Sequence, residues 1–176
     1  MIHRRSLIVG GAALALSGCQ STTGQGTNAR LSTRAYTGPR VTRIVVMKGK
    51  RRLYLMSGDE VLKTYRIGLG FSPKGDKKVV GDGKTPEGRY IIDRRNPQSE
   101  FYLSIGISYP NSRDRAEAAA LGRSPGGDIF IHGQAPRKYG VPTRRDWTAG
   151  CIAVQNHEMR EIYNMVGNGT VIDIYA

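Results

Sequence analysis

"TRIVVMKGKRRLYLMSGDEVLKTYRIGLG", residues 42–70, is the stretch that decides the fold class. It contains three short runs rich in Val, Ile, Leu and Tyr, which are separated by the turn-forming sequences KGK and SGDE. Short β-branched and aromatic runs interrupted by glycine are typical of neighbouring antiparallel strands. The pattern therefore predicts a β-meander, and a protein that is built mainly on a sheet.

The rest of the chain continues this pattern with only two helical segments. Further strands are expected in RYIID (89–93), FYLSIGISYP (101–110), DIFIHG (128–133), CIAV (151–154) and TVIDIY (170–175). Helices are expected in RDRAEAAALG (113–122), which ends at Gly122, and in NHEMREIYNMV (156–166), with Asn156 as N-cap. We expect one domain over residues 41–176 that is mainly β, with two helices at most.

The first eighteen residues have the pattern of an export signal. Arg4 and Arg5 precede an apolar run that is too short to span a bilayer, and small residues follow it. LSGC (16–19) resembles a bacterial lipobox, which implies a lipidated Cys19 and a signal peptide over residues 1–18. RRSLI also resembles a twin-arginine signal, so both export routes stay open, and an uncleaved anchor is the alternative. In each case the domain lies outside the cytoplasm, and polar residues 19–40 form a flexible tether.

The chain is strongly basic. Its 27 Lys and Arg against 14 Asp and Glu give a formal net charge of +13, and removal of the signal with its two arginines lowers this by 2 to +11. The sequence has no Lys/Arg-rich helix, zinc-ligand spacing or aromatic RNA-binding motif, so we do not expect a nucleic-acid partner. An anionic envelope polymer or membrane surface fits an exported basic protein, and a solvated surface without a particular partner is the alternative.

Cys151 is the one cysteine that remains once Cys19 is lipidated, and a cysteine nucleophile needs a nearby base. His132 ends a predicted buried strand 19 residues before Cys151, and the loop 134–148 between them has room to fold back. His3 lies in the signal, and His157 falls in the first turn of a helix, where a structural role suffices. Spacing alone fits a catalytic pair and a satisfied core histidine equally well.

The sequence around these residues resembles the YkuD-type L,D-transpeptidase catalytic domain of bacterial peptidoglycan enzymes. That family's signature is His-Gly, a spacer, and then Ser/Thr-His-Gly-Cys. Five segments match in the family's order: GLGFSPKGDKKVVGDGKTPEGRYII, NPQSEFYLSIGISYPN, IHG, DWTAGCIAV and NHEMREIY. DWTAGCIAV is similar to a branch of the YafK type, some of whose members are thought to hydrolyse peptide bonds.

The resemblance implies a mainly β fold, a sandwich or mixed sheet with one or two short helices, and it implies roles for residues of this sequence. Cys151 is the nucleophile and His132 its base, while the carbonyl of Gly133 orients the imidazole. The amides of Gly150 and Cys151 are candidates for the oxyanion hole. Neither a metal nor a cofactor is implied.

Two positions depart from the family pattern. Ala149 replaces a second histidine, and Ala153 replaces an arginine two residues after the cysteine. Substrate carboxylates must then meet other cations, for which Lys138, Arg144 and Arg145 are available in the loop. Asp146 and Trp147 either shape the pocket floor or anchor the loop over the core.

The implied reaction is acyl transfer through a thioester on the diaminopimelate of peptidoglycan stem peptides. The acceptor is a stem amine, in crosslinking, or a lysine of an envelope protein. A hydrolase with the same site, in which water is the acceptor, is the alternative, and a wall-binding module is a third. Gln20 after the lipidated Cys19 favours the outer membrane for this periplasmic, lipid-anchored protein.

Overall fold

The computed structural model describes residues 36–176. The expected signal peptide, Cys19 and residues 19–35 of the expected tether lie outside the described residues. The described part contains a sheet of eight strands. These strands are β1 (Arg43–Met47), β2 (Arg52–Ser57), β3 (Glu60–Arg66), β4 (Gly88–Asn96), β5 (Ser104–Ile107), β6 (Phe130–His132), β7 (Ile152–Ala153) and β8 (Val171–Tyr175). The helices are α1 (Ser112–Ala120), α2 (Asn156–Met165) and a 3₁₀ turn (Arg137–Tyr139).

The sheet is mixed, with the strand order β3-β2-β1-β8-β4-β5-β6-β7. The predicted meander is confirmed, because β1 pairs with β2 and β2 with β3, both antiparallel. Two pairings are parallel: the last strand, β8, lies beside β1, and β7 lies beside β6. The mainly β mixed sheet with two short α-helices was therefore predicted correctly.

The core follows the two-residue period of the strands. In β1, Ile44 and Val46 are fully buried while their neighbours are half-buried, which is the alternation of a strand with one face in the core. Helix α2 packs against β5 and β6 and buries Met159 and Ile162. This packing fixes the end of β6, where His132 lies.

Both helices begin and end close to the predicted positions. Asn111 caps α1 by accepting the N–H of Asp114, and Gly122 follows the helix in a left-handed conformation at φ 64°. The predicted cap of α2 was wrong by one residue, because Gln155 is the N-cap and Asn156 the first helical residue. No helix within residues 36–176 is long and apolar enough to cross a membrane.

A buried lysine fixes the long segment between β3 and β4. Lys48 is 2 % exposed, and its Nζ donates to the carbonyls of Gly75 and Thr85 at 2.7 and 2.8 Å and to Glu87 Oε1 at 2.9 Å. A buried ammonium is tolerated only where its donors are satisfied, as they are here. The segment thereby becomes a fixed wall, and Lys84 within it contacts the turn before Cys151.

Candidate active site

The parallel pair β6 and β7 positions the two candidate catalytic residues. Ile131 pairs with Ile152 and His132 with Ala153, so Cys151 lies one residue before β7 on the chain. Side chains two residues apart on a strand point to the same side of the sheet. Cys151 therefore shares a face with Ala153, and hence with His132.

His132 is held by its own backbone and by aromatic rings. Its Nδ1 lies 2.7 Å from the carbonyl oxygen of Gly133, a contact that assigns the proton to Nδ1 and leaves Nε2 free to accept one. Phe101 and Trp147 pack on the ring, with centroids 4.7 and 5.6 Å away. Burial lowers the pKa of His132, although the bond to Gly133 opposes this. The imidazole is therefore neutral at neutral pH.

Cys151 is half-buried and carries a free thiol. Its Sγ lies 3.5 Å from the carbonyl oxygen of Asp128, which accepts a weak hydrogen bond. Burial raises the pKa of the Cys151 thiol, and the negative charge of Asp128 adds to this, while a hydrogen bond to the Phe130 backbone works against it. The resting site thus holds a neutral thiol and a neutral imidazole, and the thiolate forms only when a base removes the proton.

Thr148 closes the turn that presents the cysteine. Its buried hydroxyl donates to the carbonyl of Cys151 at 2.7 Å and accepts the N–H of Gly150 at 3.1 Å. The Gly150 amide, expected as an oxyanion donor, is therefore already bonded. The N–H of Cys151 has no acceptor among the described residues, and it is the amide of this turn that stays available for an oxyanion.

The conformation of this turn requires a glycine at position 150. Gly150 has φ 139°, a backbone that other residues rarely adopt, and a Cβ built there would lie 2.7 Å from the carbonyl oxygen of Lys84. The wall held by Lys48 therefore touches the turn directly. Fold and site are coupled at this contact.

His132 and Cys151 line the same cleft, of about 670 Å³, which we name the thiol cleft. Its walls are largely apolar and aromatic, as in most small-molecule sites. They include Phe101, Phe130, Tyr139 and Trp147. Exposed Ala149 also lines this cleft, so the position that lacks the second histidine opens onto the same cavity as Cys151.

The predicted cationic residues lie elsewhere. Arg144 and Arg145 line a second cleft of about 330 Å³ together with Arg66 of β3, and we name it the arginine cleft. Trp147, Ala135 and Pro142 line both clefts and so form a shared wall. Buried Ala153 also lines the arginine cleft, so three arginines line the same cavity as the position where the family pattern has an arginine.

Lys138, expected to bind substrate, is not among the described residues that line either cleft. Its exposed ammonium lies 2.6 Å from Glu100 Oε1, and its Nζ lies 4.9 Å from the Tyr139 ring centroid. This ion pair links the 3₁₀ turn to the loop before β5, and because both groups are exposed it contributes little to stability. Substrate binding by Lys138 stays a prediction, and the structure places this residue outside the lining of both clefts.

Two roles were open for Asp146 and Trp147, shaping the pocket floor and anchoring the loop, and each residue has one of them. Asp146 anchors the loop, because Arg51 Nη2 donates to its Oδ2 at 2.9 Å and Leu69 N–H to its Oδ1 at 3.0 Å. Trp147 lines the site and packs on His132. His157 is exposed on α2 and is not among the described residues that line the two clefts.

Three residues that the sequence reasoning did not assign contribute to the site. Thr148 lies in DWTAGCIAV, and a hydroxyl three residues before a cysteine is a signal for a hydrogen bond that closes a local turn. Arg66 resembled an ordinary exposed strand residue. Asp128 stands out only through its φ of 55°. Residues 36–176 hold no group of three or more His, Cys, Asp or Glu side chains placed to bind a metal ion.

A thiol and an imidazole that line one cleft at the ends of two paired strands form the arrangement expected of a cysteine-nucleophile enzyme. Comparison with known proteins gives the family. The YkuD family, described as the L,D-transpeptidase catalytic domain, matches residues 41–174. The chain belongs to this family.

Individual relatives agree with this assignment. YafK of Escherichia coli (strain K12) is 31 % identical over 134 residues, which are 73 % of this chain and 48 % of YafK. The helical cell shape determining protein Pgp2 from Campylobacter jejuni matches with a TM-score of 0.60 and 27 % identity, over 80 % of this chain and 49 % of Pgp2. Bd1075 of Bdellovibrio bacteriovorus gives 0.54 and 26 %, over 77 % and 48 %. The chain spans about half the length of these relatives.

Proposed function

We propose that this protein is a peptidoglycan L,D-transpeptidase, in which Cys151 transfers an acyl group through a thioester. The observation that carries the proposal is the shared thiol cleft, in which the Gly133 carbonyl leaves Nε2 of His132 as the free base. The acyl donor is a stem peptide with diaminopimelate at the attacked position and D-Ala as the leaving residue. Membership of the YkuD family supports this substrate class.

The first step forms the thioester. Nε2 of His132 takes the thiol proton as Sγ of Cys151 attacks the carbonyl of the L-centre of diaminopimelate, and the carbonyl oxygen becomes an oxyanion. The C–N bond to D-Ala then breaks, and the imidazolium returns its proton to the departing amine. The neutral resting pair suits this sequence because the same proton activates the nucleophile and then the leaving group.

The second step releases the acyl group to an amine. The amine of a second stem, or of a lysine on an envelope protein, attacks the thioester carbonyl and passes a proton to His132. The C–S bond breaks, and the thiolate of Cys151 takes that proton. In both steps the N–H of Cys151 faces the oxyanion, while Thr148 holds the turn rigid.

The arginine cleft supplies the cations that stem carboxylates require. Arg66, Arg144 and Arg145 all line it, and Trp147 lines both this cleft and the thiol cleft. Guanidinium groups bind carboxylates with two parallel hydrogen bonds, so the cleft suits the carboxylates of the acceptor or of an extended donor strand. The shared wall of Trp147 keeps this charge apart from the reacting thiol.

A hydrolase is the second candidate function. Ala149 is exposed in the thiol cleft and carries no polar group toward the nucleophile, so this position offers no side chain to orient an amine or exclude water. Water then competes as the acyl acceptor, and the enzyme cleaves stems or protein-linked muropeptides instead of joining them.

For location, we propose a periplasmic lipoprotein anchored through Cys19, with the outer membrane favoured by Gln20. The formal net charge of the chain, +13, falls by 2 to +11 when the signal with Arg4 and Arg5 is removed, and this charge supports attraction to an anionic envelope. A role in cell shape is part of the proposal, on the basis of the likeness to Pgp2.

The test is to incubate the full chain with disaccharide-tetrapeptide and to identify the products by mass spectrometry, beside Cys151→Ala. Cysteine-dependent loss of D-Ala with dimers crosslinked between two diaminopimelates supports the transpeptidase. Cysteine-dependent cleavage without dimers, on stems or protein-linked muropeptides, supports the hydrolase. If neither substrate turns over, the proposed enzyme activity is contradicted and a wall-binding role remains.

A further inference from the structure

An exposed carboxylate stands directly beside the nucleophile. Asp128 lines the thiol cleft, and its main-chain carbonyl accepts the Cys151 thiol at 3.5 Å. Its side chain is 90 % exposed, and its backbone has φ 55°, a left-handed conformation that aspartate tolerates better than most residues. Such a conformation in an active site is a reason to look for a function.

A guanidinium is held next to this carboxylate. Arg94 of β4 lies over the ring of Phe130, 4.6 Å from its centroid, and its Nη2 is 3.3 Å from Asp128 Oδ1. Gly106 on the neighbouring strand makes room for it, because a Cβ there would lie 2.4 Å from Cγ of Arg94. Asp93 Oδ2 is 3.1 Å from Nη1 on the other side. Asp128 lines the thiol cleft at an edge that we name the lip, and the positive group of Arg94 therefore lies beside a negative group there.

A charged ligand can replace the ion pair between Arg94 and Asp128 at little cost. Arg94 is 40 % and Asp128 90 % exposed, and ion pairs in water contribute little to stability, so separating the two groups costs little. A ligand with an ammonium and a carboxylate on one carbon satisfies both at once, the ammonium on Asp128 and the carboxylate on Arg94. Both charges also act on the Cys151 thiol, in opposite directions, which places them within electrostatic range of the reacting sulfur.

We propose that Asp128 and Arg94 form a subsite for a free amino-acid group, with its ammonium on Asp128 and its carboxylate on Arg94. This inference rests on the proposed function, because the donor then supplies the group: the D-centre of diaminopimelate carries both charges. Three methylene groups separate that centre from the L-centre, whose carbonyl is attacked. The subsite at the lip thus selects the side chain of the acyl donor while Sγ reaches its carbonyl.

The experiment compares two tetrapeptide donors, one with diaminopimelate and one with lysine, which keeps the ammonium and lacks the carboxylate. For the full chain we expect kcat/KM to be about tenfold or more higher with diaminopimelate. Arg94→Gln is expected to remove this preference by lowering only the diaminopimelate rate. Asp128→Asn, which tolerates the same backbone, is expected to slow both donors. Arg113→Gln is the matched control, because it removes the charge of an exposed arginine of α1 that pairs with Glu117 and lines neither cleft, and both rates are expected to stay unchanged.

Binding measurements without turnover test the subsite independently of the proposed reaction. In Cys151→Ala, calorimetry gives the dissociation constants of both tetrapeptides without turnover, and the same preference is expected to disappear with Arg94→Gln. If the protein is inactive but binding discriminates, the reaction is contradicted and the subsite stands. If Arg94→Gln weakens both peptides equally, or neither, the subsite is wrong even where the wild type is active.

Discussion

The carbonyl oxygen of Gly133 lies 2.7 Å from Nδ1 of His132, and this contact determines which imidazole nitrogen is free to act as a base. Burial lowers the pKa of His132, so the ring loses its proton below the ordinary histidine value of about 6.5. Catalysis needs the neutral ring. The acidic limb of kcat/KM is therefore expected below about pH 6.5, and a limb above that value would contradict the buried, neutral base.

The Cys151 thiol is expected to titrate in the opposite direction. Burial raises its pKa, so the thiolate forms above the ordinary value of about 8.5 for a free cysteine. The rate of alkylation by iodoacetamide, followed against pH by mass spectrometry, is expected to rise with a midpoint above about 8.5. A midpoint near neutral pH would instead indicate a resting thiolate–imidazolium pair.

Replacing Thr148 by Val removes a hydroxyl and preserves the shape of the side chain. The carbonyl of Cys151 and the N–H of Gly150 both lose their partner. We expect the free energy of unfolding to fall by about 1–3 kcal/mol and kcat/KM to fall about tenfold or more. Denaturant unfolding and steady-state assays measure the two effects. Thr148→Ser keeps the hydroxyl and is expected to stay near wild type, and equal losses in both variants would argue against the hydrogen bonds.

Two glycines with positive φ offer a matched pair of substitutions. Gly150→Ala places a Cβ 2.7 Å from the Lys84 carbonyl at φ 139°, whereas Gly140 has φ 76° and no atom within 4 Å of its Cβ position. We expect Gly150→Ala to destabilise the fold by about 2–3 kcal/mol and to abolish activity, and Gly140→Ala to cost about 1 kcal/mol. Comparable thermal unfolding and activity in the two variants would show that the contact with Lys84 does not matter.

The anchor of the loop can be measured with a double-mutant cycle. Arg51 and Asp146 are 19 % and 20 % exposed, so their ion pair is partly shielded from water. Arg51→Gln and Asp146→Asn are expected to show a coupling of about 1–2 kcal/mol in the free energy of unfolding. The exposed pair Lys63 and Glu161, at 46 % and 45 %, serves as control and is expected below about 0.5 kcal/mol. Equal coupling in the two cycles would contradict the anchor.

Local patterns predicted most of the elements. The alternating runs of residues 42–66 produced the meander, and Gly122 ended α1 as expected. The parallel pairing of β8 with β1 was not predictable, because no local pattern records a contact between the two ends of a domain. The cap of α2 differed because the Oδ1 of Asn156 accepts the N–H of Gln134 at 2.8 Å, a tertiary contact that replaces its capping role.

The functional residues were predictable only where they lie in a recognisable sequence motif. The strand end at His132 followed from its hydrophobic run, and the resemblance to a family supplied the partner role of Cys151. The arginines were separated from the thiol because Trp147 stands between the two clefts, and a side chain's direction in an irregular loop has no periodicity to reveal it. Asp128 and Arg94 meet across strands and gave no local signal.

The most direct test of nucleophilic catalysis by Cys151 is the mass of the intact protein after mixing with tetrapeptide donor. We expect an adduct on Cys151, equal to the stem lacking D-Ala, that is absent in Cys151→Ala and forms much more slowly in His132→Ala. Peptide mapping then locates the adduct. Release of D-Ala that continues in Cys151→Ala, with no adduct on the wild type, would contradict a thioester on this cysteine.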